Sequence, residues 1–71
     1  MTDTQLLDEK MKECGTNPNE LAKQLGITRQ GLWKKLKNIS EFKQSEIEKI
    51  TRILNLDSET QRLIFFTLNV G

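Results

Sequence analysis

The chain has 71 residues, eleven Lys and Arg against ten Asp and Glu, one cysteine and no histidine, for a formal charge of +1. That length supports one small domain over residues 1–71, and a single cysteine with no histidine excludes an internal disulfide, a Cys/His zinc site within the chain and any His-dependent catalysis. No apolar run approaches the roughly 20 residues of a membrane span, and the start MTDTQLLDEK lacks the basic and apolar regions of a signal peptide. The expectation is a cytoplasmic protein with no membrane contact. With no Gly-rich phosphate loop or nucleophile elbow, it is also expected to be no enzyme and to need no cofactor.

Charge is unevenly placed. Between Leu21 and Lys43 stand Lys23, Arg29, Lys34, Lys35, Lys37 and Lys43 against the single acid Glu41. The remainder carries five bases against nine acids. A basic segment on an acidic body is the expected electrostatic footprint of a small nucleic-acid-binding domain. A solvated helix face with scattered lysines would also produce it.

The predicted elements are all helical. The first runs from about Thr4 to Cys14, with Leu7, Met11 and Cys14 on one stripe and Gly15 as its stop. On that stripe Met11 reads as core and Cys14 as a small core residue. Asp8, Glu9 and Glu13 read as a solvated face. The second runs from about Pro18 to Leu25. Asn17 is its N-cap, Pro18 occupies the first helical position, and Glu20 follows Asn17 at capping-box spacing. Leu21, Ala22 and Leu25 form its inner face. Gly26 makes the turn with positive φ.

The third helix runs from about Arg29 to Lys37, with Thr28 as N-cap and Leu32 and Leu36 pointing inward. Arg29, Gln30, Trp33 and Lys34 lie on its other faces. Gly31 weakens this helix by about 1 kcal/mol relative to Ala. It either permits close backbone approach to a ligand or is neutral. Asn38 to Lys43 reads as a loop with Phe42 as a core plug. The fourth helix spans about Gln44 to Leu54, with Ile47, Ile50 and Leu54 inward and Asn55 as its stop. Lys43 is a poor cap and leaves its start open. The fifth spans about Ser58 to Leu68, capped by Asp57 or Ser58. Its apolar residues Leu63, Ile64, Phe65, Phe66 and Leu68, with Val70 beyond, cover more than one face. Either a partner chain covers the surplus or the helix is deeply buried in the monomer.

Two short helices joined at Gly26, with a small Ala22 at their crossing and Ile27 and Leu32 as apolar anchors, match the helix-turn-helix layout. The segment ELAKQLGITRQGLWKKL resembles the helix-turn-helix of the Xre/Cro-type repressors of bacteria and phages. EFKQSEIEKITRILNL and LIFF extend the resemblance over about Leu7 to Phe66, towards small Cro-like regulators of temperate phages of Gram-positive bacteria. The resemblance implies an all-α, compact five-helix bundle of the lambda repressor/Cro-like kind. It implies a bacterial cytoplasm, operator DNA as ligand, and a homodimer or the cognate phage repressor as protein partner. With no effector domain, no small-molecule ligand is expected.

Carried over by the resemblance, the base-reading positions are Thr28, Arg29, Gln30, Trp33 and Lys34. Arg29 suits guanine O6 and N7, and Gln30 suits adenine N6 and N7. Trp33 stands where most of the family carries a smaller or polar residue. It can meet a thymine methyl or sugar edge, block close approach, anchor a protein contact, or simply pack. Asn17 and Asn19 would face phosphate at the start of the second helix. Lys35, Lys37, Asn38, Ser40 and Lys43 would contact the backbone nonspecifically. Leu63, Phe66, Leu68 and Val70 are the candidate protein interface. Two functions follow: a sequence-specific Cro-like repressor of a phage switch, or an antirepressor that binds the cognate repressor protein.

Overall fold

Polar side chains decide where the helices begin. In the computed structural model, which describes residues 1–66, α1 spans Thr4–Glu13, α2 Pro18–Leu25, α3 Arg29–Leu36, α4 Gln44–Ile53 and α5 Ser58–Phe65. No strand occurs among the described residues. The side chains of Asp3, Asn17, Thr28 and Asp57 each accept the backbone N–H three residues on, at 2.7–3.1 Å. Each satisfies an N–H that the first turn of its helix leaves without a partner. At α4 the geometry is reversed. Lys43 has no acceptor to offer, and the Glu46 carboxylate reaches back to the Lys43 N–H at 2.7 Å. This half of a capping box fixes the helix start that the sequence left open.

Four helices end the same way. Gly15, Gly26, Asn38 and Asn55 adopt φ of 70°, 72°, 60° and 52°. The N–H of the next residue then turns back to a carbonyl five residues earlier: Thr16 to Met11, Ile27 to Ala22, Ile39 to Lys34 and Leu56 to Thr51. This is the Schellman arrangement, which satisfies carbonyls that the last turn exposes. Cys14, Lys37 and Leu54 were expected inside their helices. Each has ψ within 5° of zero and stands just outside. The fifth helix was expected to reach Leu68; it ends at Phe65, and Leu68 and Val70 lie outside the described residues.

The core takes Leu7 and Met11 from α1, Leu21, Ala22 and Leu25 from α2, and Leu32 from α3. Ile47 and Ile50 of α4, then Leu54, and Ile64 and Phe65 of α5 complete it, with Phe42 inserted from the loop. Phe42 meets Phe65 edge to face, with centroids 5.5 Å apart. Cys14 corrects the sequence reading. It is exposed, not core, and its Sγ donates to the Leu54 carbonyl at 3.3 Å, joining the ends of α1 and α4. Leu63 and Phe66 of the fifth-helix surplus remain about half exposed, so complete burial within one chain does not hold for them.

Two further ties position the third helix. Asn38 accepts the Thr2 N–H and donates to the Thr2 carbonyl, while the Asp3 N–H donates to Ile64. Lys35 pairs with Glu46 at 3.1 Å, donates to the Glu41 carbonyl and lies over the Phe42 ring. Both side chains of that pair are nearly buried, at 12% and 9% exposure. Removing one partner of such a pair leaves the other charge without compensation. Glu46→Ala also removes the α4 cap, and is expected to lower stability by about 3 kcal/mol in urea unfolding. A loss below about 1 kcal/mol, the worth of an exposed pair, would show that this node is dispensable.

Asp57 gives a pH signature. The hydroxyl and then the backbone N–H of Thr60 donate to its carboxylate and hold it below its ordinary value of 3.8. A depressed folded value contributes stability that is present above the unfolded value and is lost as pH falls through the folded one. The start of α5 is therefore expected to lose amide-exchange protection as pH drops below about 3.8. Asp57→Asn, whose side chain accepts at any pH, is expected to flatten that dependence.

Candidate nucleic-acid interface

Two leucines anchor the third helix to the body. Leu32 is fully buried and Leu36 packs against the core, which fixes the helix roll. Arg29, Gln30, Trp33 and Lys34 are exposed. Trp33 lies four residues after Arg29 and three after Gln30, so the three share one face. Beside them stands the start of α2, held open by the Asn17 cap and the fixed φ of Pro18. Asn17, Pro18, Asn19, Arg29, Gln30, Trp33 and Leu36 together line an open groove of about 720 Å³. Trp33 is about half exposed.

The structure places the sequence-derived residues unequally. Arg29, Gln30, Trp33, Asn17 and Asn19 come together in the groove. Lys34, Lys37, Ser40 and Lys43 are exposed but lie off it. Among the described residues no carboxylate pairs with Arg29, Lys34, Lys37 or Lys43. Thr28 is exposed, and its Oγ1 is already the acceptor for the Gly31 N–H at 2.9 Å. Lys35, expected at phosphate, is instead turned inward to Glu46 and Glu41. Asn38, also expected at phosphate, spends its amide on Thr2.

Sequence reasoning missed three things here. Pro18 and Leu36 form apolar parts of the groove. Ile39 is 64% exposed on the loop after α3. The Thr2–Asn38 clasp joins residues too distant for any local pattern to show. A signal existed for part of this: an Asn followed by an apolar residue, as in Asn38-Ile39, is a Schellman signature.

A helix-turn-helix profile described as "Bacterial regulatory protein, Fis family" matches residues 1–38. That stretch is α1, α2 and α3, more than half of the chain. The chain belongs to this Fis family of bacterial regulatory proteins. It is a DNA-binding regulatory helix-turn-helix protein, as the sequence suggested; the match is of Fis type and does not single out the Xre/Cro type. No curated protein and no solved structure matches the chain. Among the described residues, no helix is long and apolar enough to cross a membrane, and no group of three or more His, Cys, Asp or Glu is placed to hold a metal ion.

Gly31 acquires a local explanation. A Cβ built there would stand 3.0 Å from Thr28 Oγ1, the cap acceptor of this helix-turn-helix. The usual gain of about 1 kcal/mol for Gly→Ala in a helix then opposes damage to a cap worth roughly the same. Gly31→Ala is expected to leave the melting temperature nearly unchanged. In a Thr28→Gly background, where the contact is gone, the same substitution is expected to stabilise by about 1 kcal/mol. Full stabilisation by G31A alone would refute the clash.

Proposed function

We propose that the chain is a sequence-specific transcriptional regulator, acting as Cro-like phage regulators do, whose α3 enters the major groove of operator DNA. The reading rests on one observation above others: Arg29, Gln30 and Trp33 share an exposed face beside the start of α2. In this reading Arg29 donates to guanine, Gln30 pairs with adenine, and Thr28 and Lys34 contact a base or phosphate. Asn17 and Asn19 approach phosphate at the α2 terminus. Lys37, Ser40 and Lys43 supply sequence-blind contacts. Residues 1–71 act as one domain. Two copies, joined through Leu63 and Phe66 of the α5 end, would read half-sites about one turn, roughly 34 Å, apart. Leu68 and Val70, assigned to the same contact from sequence, lie outside the described residues.

A second reading has support from the half-exposed Trp33, Leu63 and Phe66. In it the chain is an antirepressor that binds the cognate phage repressor protein, and its own DNA affinity is weak.

A salt-titrated binding assay on DNA from the chain's own genetic neighbourhood, against scrambled DNA, separates the two. Regulator activity predicts tight, sequence-dependent binding with a steep salt slope. Arg29→Ala is then expected to cost about 1–3 kcal/mol and relax one base position, whereas Lys37→Ala weakens all sequences alike and lowers the salt slope by about 1. Weak, sequence-blind binding, together with a micromolar complex with the repressor, would give the antirepressor reading precedence.

A further inference from the structure

The groove beside α3 carries apolar lining that its hydrogen-bonding residues do not explain. Arg29, Gln30, Asn17 and Asn19 supply hydrogen bonds, but Trp33, Pro18 and Leu36 lie among them. Trp33 has no part in the core cluster, and it keeps 52% of its surface exposed although Leu32 beside it is fully buried. In a major groove the base edges offer one apolar feature, the C5 methyl of thymine. Cytosine offers it only when methylated. The charge around the groove fits nucleic acid: Arg29 lines it, and Lys34 and Lys37 nearby are unpaired among the described residues.

We infer that Trp33 is a specificity-determining residue that reads a pyrimidine C5 methyl, thymine's in an unmodified operator, through the apolar wall it makes with Pro18 and Leu36. The inference rests on the proposed DNA reading and sharpens it. Gln30 stands three residues before Trp33, one helical turn along the same face. An A·T pair presents adenine's N6 and N7 beside thymine's methyl on the same groove edge. Gln30 and Trp33 are thus spaced to read the two halves of one pair or of adjacent pairs. The hydrogen bonds of Gln30 would not register the loss of the methyl; the indole contact would.

The test starts from duplexes that the full chain selects from a randomised pool. In the best of them each thymine is replaced singly by uracil, which removes only the methyl. One position per half-site is expected to weaken binding about fourfold, the worth of burying one methyl-sized group. A probe with 5-methylcytosine at that position is expected to bind more tightly than one with cytosine, which identifies the methyl itself as the ligand. Trp33→Ala is expected to bind more weakly and to lose the thymine–uracil difference there, while Trp33→Phe keeps it. Because Trp33 lies outside the core, its folding is checked by an unchanged melting temperature. Selected duplexes that bind equally with thymine or uracil, or a Trp33→Ala variant that still discriminates, would overturn the inference while leaving sequence-specific binding intact. A pool from which nothing is enriched would overturn both.

Discussion

The Lys35–Glu46 pair is the contact on which the placement of α3 depends. It is nearly buried, so losing either partner leaves the other charge uncompensated. Each partner also has a second task. Glu46 caps α4 through the Lys43 N–H, and Lys35 holds the Glu41 carbonyl and covers Phe42. Phe42 in turn meets Phe65 of α5. One ion pair therefore joins the end of α3, the following loop, the start of α4 and the core. It also takes Lys35 off the surface, which leaves Lys34 and Lys37 to act outward.

The Thr2–Asn38 clasp holds the same helix from its other neighbour. It closes residue 2 onto residue 38, close to the two ends of the stretch that the Fis family profile matches. The left-handed backbone at Asn38 serves two ends together. It terminates α3 and turns the amide towards the chain start. Glycine would make the turn more easily but has no amide to give. The unit of α1, α2 and α3 is thus closed by its own hydrogen bonds, and α4 and α5 complete its core.

Electrostatics and packing cooperate in separating the two sides of α3. The basic surplus between Leu21 and Lys43 is partly consumed within the fold, by Glu46 at Lys35 and by Glu20 near Lys23. What remains is concentrated on α3 and the loop after it. Two of the three acids of α1 are engaged differently, with Asp8 and Glu13 paired to Lys12 and Lys10 along their own helix. Exposed pairs of this kind contribute little stability; their effect is to keep that side of the molecule near neutral.

Much of this was legible in the sequence because its causes are local. Asn17-Pro18, Gly26 and Thr28 set the boundaries of α2 and the start of α3 through hydrogen bonds spanning three to five residues. Apolar spacing identified Leu7, Met11, Leu21, Ala22, Leu25, Leu32, Ile47 and Ile50 as core. Phe42 was read as a core plug within its loop, and it is buried. The shared face of Arg29, Gln30 and Trp33 followed from helical periodicity once Leu32 was placed inward. Contacts between distant residues were not legible. Nothing in the sequence near Lys35 distinguishes it from Lys34 or Lys37; only the arrival of Glu46 makes it structural. Asn38 looks like a surface amide until Thr2 meets it, and Cys14 looks like core until α4 leaves its sulfur at the surface. The sequence by itself determined most helix starts, the turns at Gly15 and Gly26 and which apolar faces point inward, because those depend on neighbours along the chain. The tertiary structure decided which charges and amides are free to meet a ligand, because that depends on which distant partner reaches each one first.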